Sequence, residues 1–172
     1  MKYLIMAIIS NLALAKYSRN TWGYPSDKNK DYKNTRAEVL IKRSKVSVRF
    51  KDESKCYVIS GSWSDYYYPQ THTEASAVEI DHLIPLFHAY NTGAKLWSKK
   101  QKSQFANDPN NLVITQRKYN RSKGAKTILD WLPLNKAYAC KYMQQWFKIK
   151  NEYKLLISDK EIDFLKQAKC KQ

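Results

Sequence analysis

The chain has 172 residues, with 31 Lys or Arg against 15 Asp or Glu, which gives a formal net charge of +16 at pH 7. This length is enough for one domain with its own core. The excess of positive charge indicates a polyanionic partner. Cys-x-x-Cys and Cys-x-x-His pairs are absent from the sequence, so a structural zinc site has no support.

The first fifteen residues have the order of a secretory signal peptide. Lys2 supplies a short positive region, Leu4 to Ile9 an apolar run, and Ala13-Leu14-Ala15 a cleavage site of small residues. A membrane anchor is the alternative, but the apolar run is short for a span and polar residues interrupt it. We therefore expect an exported protein with a domain at 16–172. No later stretch is apolar enough to cross a bilayer.

The first half of the domain is predicted to contain one helix and short strands. Lys16 to Lys33 is polar and aromatic, and we expect an extended arm over the domain surface. Thr35-Arg36-Ala37-Glu38 fits a capping box that starts a helix running to about Ser44. Alternation from Val46 to Phe50 and the run Tyr57-Val58-Ile59 predict short strands.

Gly61 to Pro69 is predicted to be a loop or strand edge, with Trp63 and the run Tyr66-Tyr67-Tyr68. Aromatic residues near basic ones can stack on unpaired bases. Packing over the edge of the core is the more common role, and we favour it here.

The second half is predicted to be mainly helical. Leu86 to Tyr90 forms a short helix, and a capping box from Ser98 to Gln101 begins another that ends near Asn107. Ala137 to Lys150 is an amphipathic helix with Ala139, Tyr142, Met143, Trp146 and Ile149 on one face.

At the C-terminal end, Leu155 to Ile157 is predicted to be a small strand. A further capping box from Ser158 to Glu161 begins the last helix, with Ile162 and Leu165 facing inward. Internal repeats and low-complexity tracts are absent from the sequence.

The most informative stretch is Val78 to Lys126. Asp81 and His82 end an apolar run and would point to opposite faces of a strand, so one of them is buried at a cost. That cost is explained if Asp81 holds a metal ion and His82 acts beside it. A second strand is predicted near Thr115 and a basic helical segment from Tyr119. Between Lys95 and Lys126 nine basic residues stand against one acid, Asp108, which favours a groove for a phosphate backbone.

The ordered motif Glu79-x-Asp81-His82-x-x-Pro85, Asn111-Leu112 and Asn120-Arg121-x-Lys123 resembles that of HNH (His-Me finger) endonucleases. Within them it is most similar to secreted proteins that share the C-terminal nuclease domain of the GmrSD restriction enzymes. The interval from Asn111 to Asn120 also resembles that in the HNH domain of CRISPR effector nucleases. Further similar segments are Asn34 to Leu40, Gly61-x-Trp63, Phe105 to Asp108 and Trp131-Leu132-Pro133.

This resemblance implies an α+β fold in which a ββα-metal unit lies within a mostly helical single domain. His82 titrates near neutrality and suits the general base. Asp81 and Asn120 supply hard oxygen ligands, which favour Mg²⁺, with Mn²⁺ as the alternative. By resemblance, Asn111 orients His82 and Glu79 adds a second carboxylate through water. The basic residues expected on the substrate backbone, where they read no bases, are Arg117, Arg121, Lys123 and Lys126.

Each role has a plainer alternative. Asn120 would be a helix N-cap, Asn111 a turn residue, and Lys123 and Lys126 solvated surface. His72 and His88 lie outside the motif, and we expect a structural role for His88.

Two functions follow from the sequence. The first is a secreted, monomeric, metal-dependent endonuclease with little sequence preference, acting on DNA rather than RNA. The second is an exported cationic nucleic-acid-binding protein with an inactive HNH scaffold. The complete set Asp81, His82, Asn111 and Asn120 argues against the second.

An odd number of cysteines in an exported chain suggests one disulfide and one free thiol. Cys140 begins the amphipathic helix and Cys170 ends the terminal helix that packs back against it, so we expect these two to be bonded, at roughly 3–4 kcal/mol. In the secreted proteins that the chain resembles, a cysteine at the position of Lys33 could pair with the counterpart of Cys56. Cys56 is therefore expected to be a partly buried thiol, with bonds from Cys56 to Cys140 or Cys170 as the alternatives.

Overall fold

Two small antiparallel sheets lie among helices in the computed structural model, which describes residues 16–23, 25–27, 30–168 and 170. The predicted signal peptide, Met1 to Ala15, lies outside the described residues. The described part contains six α-helices and five strands, a mixed α+β architecture. In chain order these are α1 (Thr35–Arg43), β1 (Arg49–Phe50), β2 (Val58–Ser64), β3 (Thr71–Glu74), β4 (Val78–His82), α2 (Leu86–Asn91), α3 (Lys99–Ala106), β5 (Leu112–Gln116), α4 (Arg117–Lys123), α5 (Lys136–Glu152) and α6 (Asp159–Gln167).

Strands β4 and β5 form the sheet that carries the motif. They pair antiparallel in unbroken register from Val78 opposite Gln116 to His82 opposite Leu112. Helices α2 and α3 are inserted between the two strands, and α4 follows β5 directly and packs on both. The other sheet has the order β1-β2-β3 and packs against α1.

The larger core forms around α5. Tyr142, Trp146 and Ile149 are buried on one face of this helix, as its amphipathic pattern predicts. Trp22 and Phe105 join them in the same cluster. A smaller core lies between α1, β2 and the β4–β5 sheet. Among the described residues, no helix has both the length and the apolar character that a bilayer span requires.

The N-terminal arm differs from the predicted extended surface segment. Arg19–Trp22 form a turn of 3₁₀ helix. Trp22 is completely buried, with its ring edge-on to Trp97 and tilted against Phe105. One apolar side chain therefore inserts this part of the arm into the larger core, since burying an aromatic ring outweighs the polarity of its neighbours.

Local capping signals were reliable in two of the three predicted positions. Complete capping boxes begin α3 at Ser98 and α6 at Ser158. At α1 the cap is Asn34, whose side chain accepts the N–H of Ala37, and not Thr35. The Thr35 hydroxyl is already bonded to Asn107 Oδ1 at 2.7 Å and to the carbonyl of Ser26.

The C-terminal predictions need two corrections. Leu155 to Ile157 is not a strand but an irregular connection, in which the Leu156 N–H donates to the carbonyl of Thr92. In α6, Ile162 is exposed and Glu161 faces inward, because a buried lysine of α5 pairs with that carboxylate. A disulfide joins Cys140 to Cys170, the pair expected from the sequence, and Cys56 is a partly buried free thiol.

A buried polar network ties α6 to α5 and α2. Lys150 Nζ lies 2.7 and 2.9 Å from the two Glu161 carboxylate oxygens and donates to His88 Nε2 at 3.1 Å. Trp146 Nε1 donates to the same carboxylate. Because a lysine ammonium only donates, His88 Nε2 must hold a lone pair. His88 therefore has the structural role expected from the sequence: its neutral ring accepts a hydrogen bond inside this network.

The network predicts a pH-dependent stability. The pKa of His88 is lowered to about 4, chiefly by burial and then by the charge of Lys150, with a smaller contribution from Lys123 and with Glu161 opposing the shift. Unfolded His88 takes up a proton near pH 6.5 and folded His88 only near pH 4, so its contribution is fully present above pH 6.5 and is lost as the pH falls towards 4. We expect about 2–3 kcal/mol of unfolding free energy to be lost from this group between pH 7 and 4.

Urea unfolding of the wild type and of His88→Gln at pH 7, 5.5 and 4.5 measures this contribution. Glutamine keeps an acceptor for Lys150 and stays neutral, so the variant should lose less stability on acidification. Equal pH slopes for the two proteins would remove His88 as the source.

Candidate active site

The motif side chains meet between β4 and α4. Alternate residues of β4 share a face, so Glu79 and Asp81 both point towards α4, about 7 Å apart along the strand. Three residues of helix rise about 4.5 Å, so Asn120 and Lys123 present side chains at a similar spacing. Asn120 Nδ2 donates to Glu79 Oε2 at 2.8 Å, and Lys123 Nζ lies 2.9 Å from Asp81 Oδ2.

Lys123 is completely buried, which corrects its predicted place on the substrate backbone. Its ammonium also donates to the carbonyl of His82 at 2.8 Å. Asp81 Oδ2 accepts a further hydrogen bond from the hydroxyl of the buried Tyr67 at 2.7 Å. Burial lowers the pKa of Lys123, and the charge of Asp81 opposes that shift. Lys123 therefore holds the end of β4 from inside and is not available to a ligand at the surface.

Glu79 is held between a hydrogen bond and an ion pair. Arg117 Nε lies 2.8 Å from Glu79 Oε1, while Asn120 occupies the other oxygen. Burial raises the pKa of Glu79, but the hydrogen bonds from Asn120 and Arg117 and the charges of Arg117 and Arg121 together bring it below its usual value. The group is thus a carboxylate at neutral pH, partly open to solvent.

His82 lies on the opposite face of β4 from Asp81, as the alternation predicts. Its Nε2 is 2.9 Å from the carbonyl of Ala106. A carbonyl only accepts, so Nε2 carries the proton and Nδ1 holds the lone pair. Burial lowers the pKa of His82 to about 4, Asp81 and the Ala106 bond oppose this, and Arg19 and Lys123 reinforce it. The ring is therefore neutral at pH 7, and its pKa lies below the near-neutral value expected from the sequence because the side chain is buried.

Asn111 is completely buried and acts on the backbone beyond His82 rather than on its ring. Its Oδ1 accepts the N–H of Ile84 at 2.8 Å, and its own carbonyl accepts the N–H of Leu83 at 2.7 Å. These bonds fix the turn that ends β4, so any effect on the orientation of His82 is indirect. The group that contacts the ring, the carbonyl of Ala106, has no side-chain signal by which the sequence could have revealed it.

Exposed cations surround this site. Arg117, Arg121 and Lys126 are on the surface, as expected for residues that contact a polyanion. The tyrosine run mostly packs internally: Tyr67 is buried, and Tyr68 stacks on Tyr119 with ring centroids 4.8 Å apart. Packing, the favoured interpretation of these aromatic residues, agrees with these contacts.

The donor set suits a hard cation better than a soft one. In the described part of the chain, no group of three or more His, Cys, Asp or Glu could hold a metal ion. Glu79, Asp81 and Asn120 instead bring two carboxylates and one amide to the same face, and oxygen donors of this kind fit Mg²⁺. The Asn120 amide uses its nitrogen on Glu79, so its oxygen is the atom left for a cation. A cation at Asp81 would share that carboxylate with Lys123.

The remaining histidine, His72, is placed apart from this set. It is buried in β3 with Nε2 3.2 Å from Asp65 Oδ2. Asp65 also accepts from the Thr115 hydroxyl and the N–H of Gln116, so it bridges the two sheets. This pair is part of the packing between the sheets.

Comparison with known proteins agrees with these motifs. The model of the family described as "GmrSD restriction endonucleases, C-terminal domain" matches residues 40–167. A protein of Arthroderma benhamiae described as an uncharacterized secreted protein is 36% identical over 130 residues. The match covers 74% of this chain and 62% of that relative, so the chain spans less than two thirds of the relative's length. No solved structure matches the chain. Because the family model covers most of the sequence, the chain belongs to the family of C-terminal domains of the GmrSD restriction endonucleases.

Proposed function

We propose that this protein is a metal-dependent HNH endonuclease that hydrolyses phosphodiester bonds of DNA with little sequence preference and acts as a monomer. Membership of a restriction-endonuclease family supports a nuclease-type hydrolase with a nucleic-acid substrate. The observation that carries the proposal is the unit β4–β5–α4. It brings Glu79, Asp81 and Asn120 to one face and ends at His82, whose Nε2 is engaged and whose Nδ1 is free to accept a proton. We interpret this unit as a ββα-metal module.

In this proposal His82 activates water. Nδ1 accepts a proton as the water oxygen attacks phosphorus, the bond to the leaving 3′ oxygen breaks, and that oxygen takes up a proton from solvent. Ala106 holds the ring so that Nδ1 faces the reaction, and its carbonyl stabilises the imidazolium that forms. Asn111 and Lys123 keep the end of β4 in place during the step.

Glu79, Asp81 and Asn120 would hold the divalent cation, with Mg²⁺ preferred for its oxygen ligands. When bound, the cation supplies Lewis acidity at the phosphate and neutralises charge near the leaving oxygen. Lys123 beside Asp81 and Arg117 beside Glu79 limit the negative charge of the set, since each of its two carboxylates already faces a cation.

The proposed low sequence preference follows from the exposed arginine and lysine side chains beside the site. Arg121 and Lys126 lie on and just after α4, where they can contact phosphate oxygens, and such contacts position a duplex without distinguishing its bases.

Export is supported by the signal-peptide pattern at 1–15, the Cys140–Cys170 disulfide and the description of the relative as secreted. The mature domain would then be 16–172.

The first test is cleavage of supercoiled plasmid DNA with Mg²⁺ and with EDTA. His82→Ala should lose about 10²–10⁴-fold in nicking rate, because a general base contributes that much, while DNA binding measured in EDTA stays at the wild-type level. His88→Gln, a histidine substitution outside the site, serves as the matched control. A wild type that binds DNA but never nicks it would support the inactive binding protein instead.

The second test concerns the cation. Asp81→Asn and Asn120→Ala should each shift the Mg²⁺ activation curve to higher concentration, because each weakens one oxygen ligand. Asparagine is chosen at Asp81 because its amide oxygen still accepts a hydrogen bond from the buried Lys123, whereas alanine would leave that ammonium without any acceptor at this position. Activation midpoints equal to that of the wild type in both variants would take these residues out of the cation site.

The third test concerns the substrate surface. Binding to duplex DNA in EDTA should weaken steeply with salt, with a slope of about −0.9 per phosphate contact. Arg121→Glu with Lys126→Glu should flatten that slope by about 2, whereas the exposed pair Lys51→Glu with Lys160→Glu, which changes net charge equally, should not. The same slope for both double variants would place the substrate elsewhere.

A further inference from the structure

The first part of the N-terminal arm, Lys16 to Gly23, lies outside the segment that matches the family model. It nevertheless packs beside His82, and it is the part meant by the arm below. Arg19 and His82 line the same cavity, which has a volume of about 100 Å³. The motif residues do not explain why an arginine lies beside His82. The family match begins at residue 40, after the end of the arm.

Aromatic packing fixes the arm on both sides of Arg19. Tyr17 packs edge-on to Phe87 and Tyr90, with ring centroids 5.2 and 5.5 Å apart. Trp22 is buried against Phe105, with ring centroids 5.9 Å apart. Phe105 directly precedes Ala106, whose carbonyl holds His82, so the anchor of the arm and the support of the base belong to one packed unit.

Arg19 is the cation of this cavity that remains free to bind a ligand. The other arginine in its lining, Arg36, uses Nη2 to donate to the carbonyls of Ala75 and Val78. Arg19 is exposed, and its side chain makes no hydrogen bond or ion pair within the described residues. Its charge nevertheless reaches the imidazole, since it contributes to lowering the pKa of His82.

We propose that Arg19 contacts the non-bridging oxygens of a substrate phosphate bound at the cavity between the arm and His82. The inference rests on the proposed nuclease function and adds a substrate contact from outside the motif. The cavity has room for about three waters at roughly 30 Å³ each, which matches a group as small as a phosphate. Guanidinium binds phosphate oxygens in a bidentate geometry. A cation there positions the phosphate backbone beside the imidazole.

The test measures cleavage of a fluorescent duplex oligonucleotide by the full mature chain with Mg²⁺. Arg19→Ala should lower kcat/KM by about 10- to 100-fold, as expected for one lost charge-assisted contact, and Arg19→Lys should recover part of it. Arg49→Ala is the matched control, because Arg49 is exposed on β1 and does not line the cavity, and it should stay within about twofold of the wild type.

Chemical rescue distinguishes substrate contact from a structural role. Added guanidinium at millimolar concentration should restore part of the activity of Arg19→Ala and leave Arg49→Ala unchanged, with equal Tm values for the two variants. Activity of Arg19→Ala equal to that of Arg49→Ala, or a loss accompanied by a lower Tm and no rescue, would overturn the inference. If the wild type and His82→Ala show the same Mg²⁺-dependent rate, the proposed function itself fails, whatever Arg19 does.

Discussion

The candidate site depends on the buried ion pair between Asp81 and Lys123. Two charges taken out of water lose several kcal/mol of solvation each, and their attraction offsets this only when the remaining polar atoms are also bonded. Here they are: the ammonium also reaches the carbonyl of His82, and the carboxylate also accepts from Tyr67. Removing one partner of such a pair typically costs about 3–5 kcal/mol, whereas replacing both by apolar groups is often neutral. Stability alone therefore gives little reason for this pair, and the precise placement of Asp81 and of the strand end gives a better one.

One strand holds the acidic and the basic parts of the site on separate faces. Asp81 and Glu79 are held by α4, while His82 is held by the carbonyl that ends α3. The insertion between β4 and β5 therefore supplies the support of the imidazole, in addition to covering the core. The two faces are nevertheless linked through α4, because Lys123 pairs with Asp81 and also donates to the carbonyl of His82.

What the sequence predicted well was local. The capping boxes at Ser98 and Ser158 need only three neighbouring residues, and the amphipathic period of α5 needs only the helix itself. What it missed depends on the tertiary fold. The Thr35 hydroxyl does not cap α1 because it is hydrogen-bonded to Asn107. Lys123 was predicted to be on the surface because its burial depends on a carboxylate 42 residues earlier in the chain. Two contacts could not be predicted from the sequence pattern. The contact of Ala106 with His82 is made by a backbone carbonyl, which any residue type has, and the burial of Trp22 involves a single aromatic side chain, which shows no periodicity.

The described residues contain a second buried lysine–carboxylate pair, Lys150 with Glu161. It differs from the Asp81–Lys123 pair in the groups that surround it. That pair is enclosed by Trp146 and His88, and it joins α6 to α5 alongside the Cys140–Cys170 disulfide. It therefore secures the C-terminal helix, and the Nε2 lone pair of its histidine is already used to accept a hydrogen bond from Lys150. The Asp81–Lys123 pair has the same chemistry but lies two residues from Glu79, which is partly open to solvent, and next to His82, which borders a cavity. A buried ion pair alone is not evidence of a reactive centre. The proposed chemistry at the motif rests instead on the partly open carboxylate of Glu79, the imidazole of His82 and the cavity beside it.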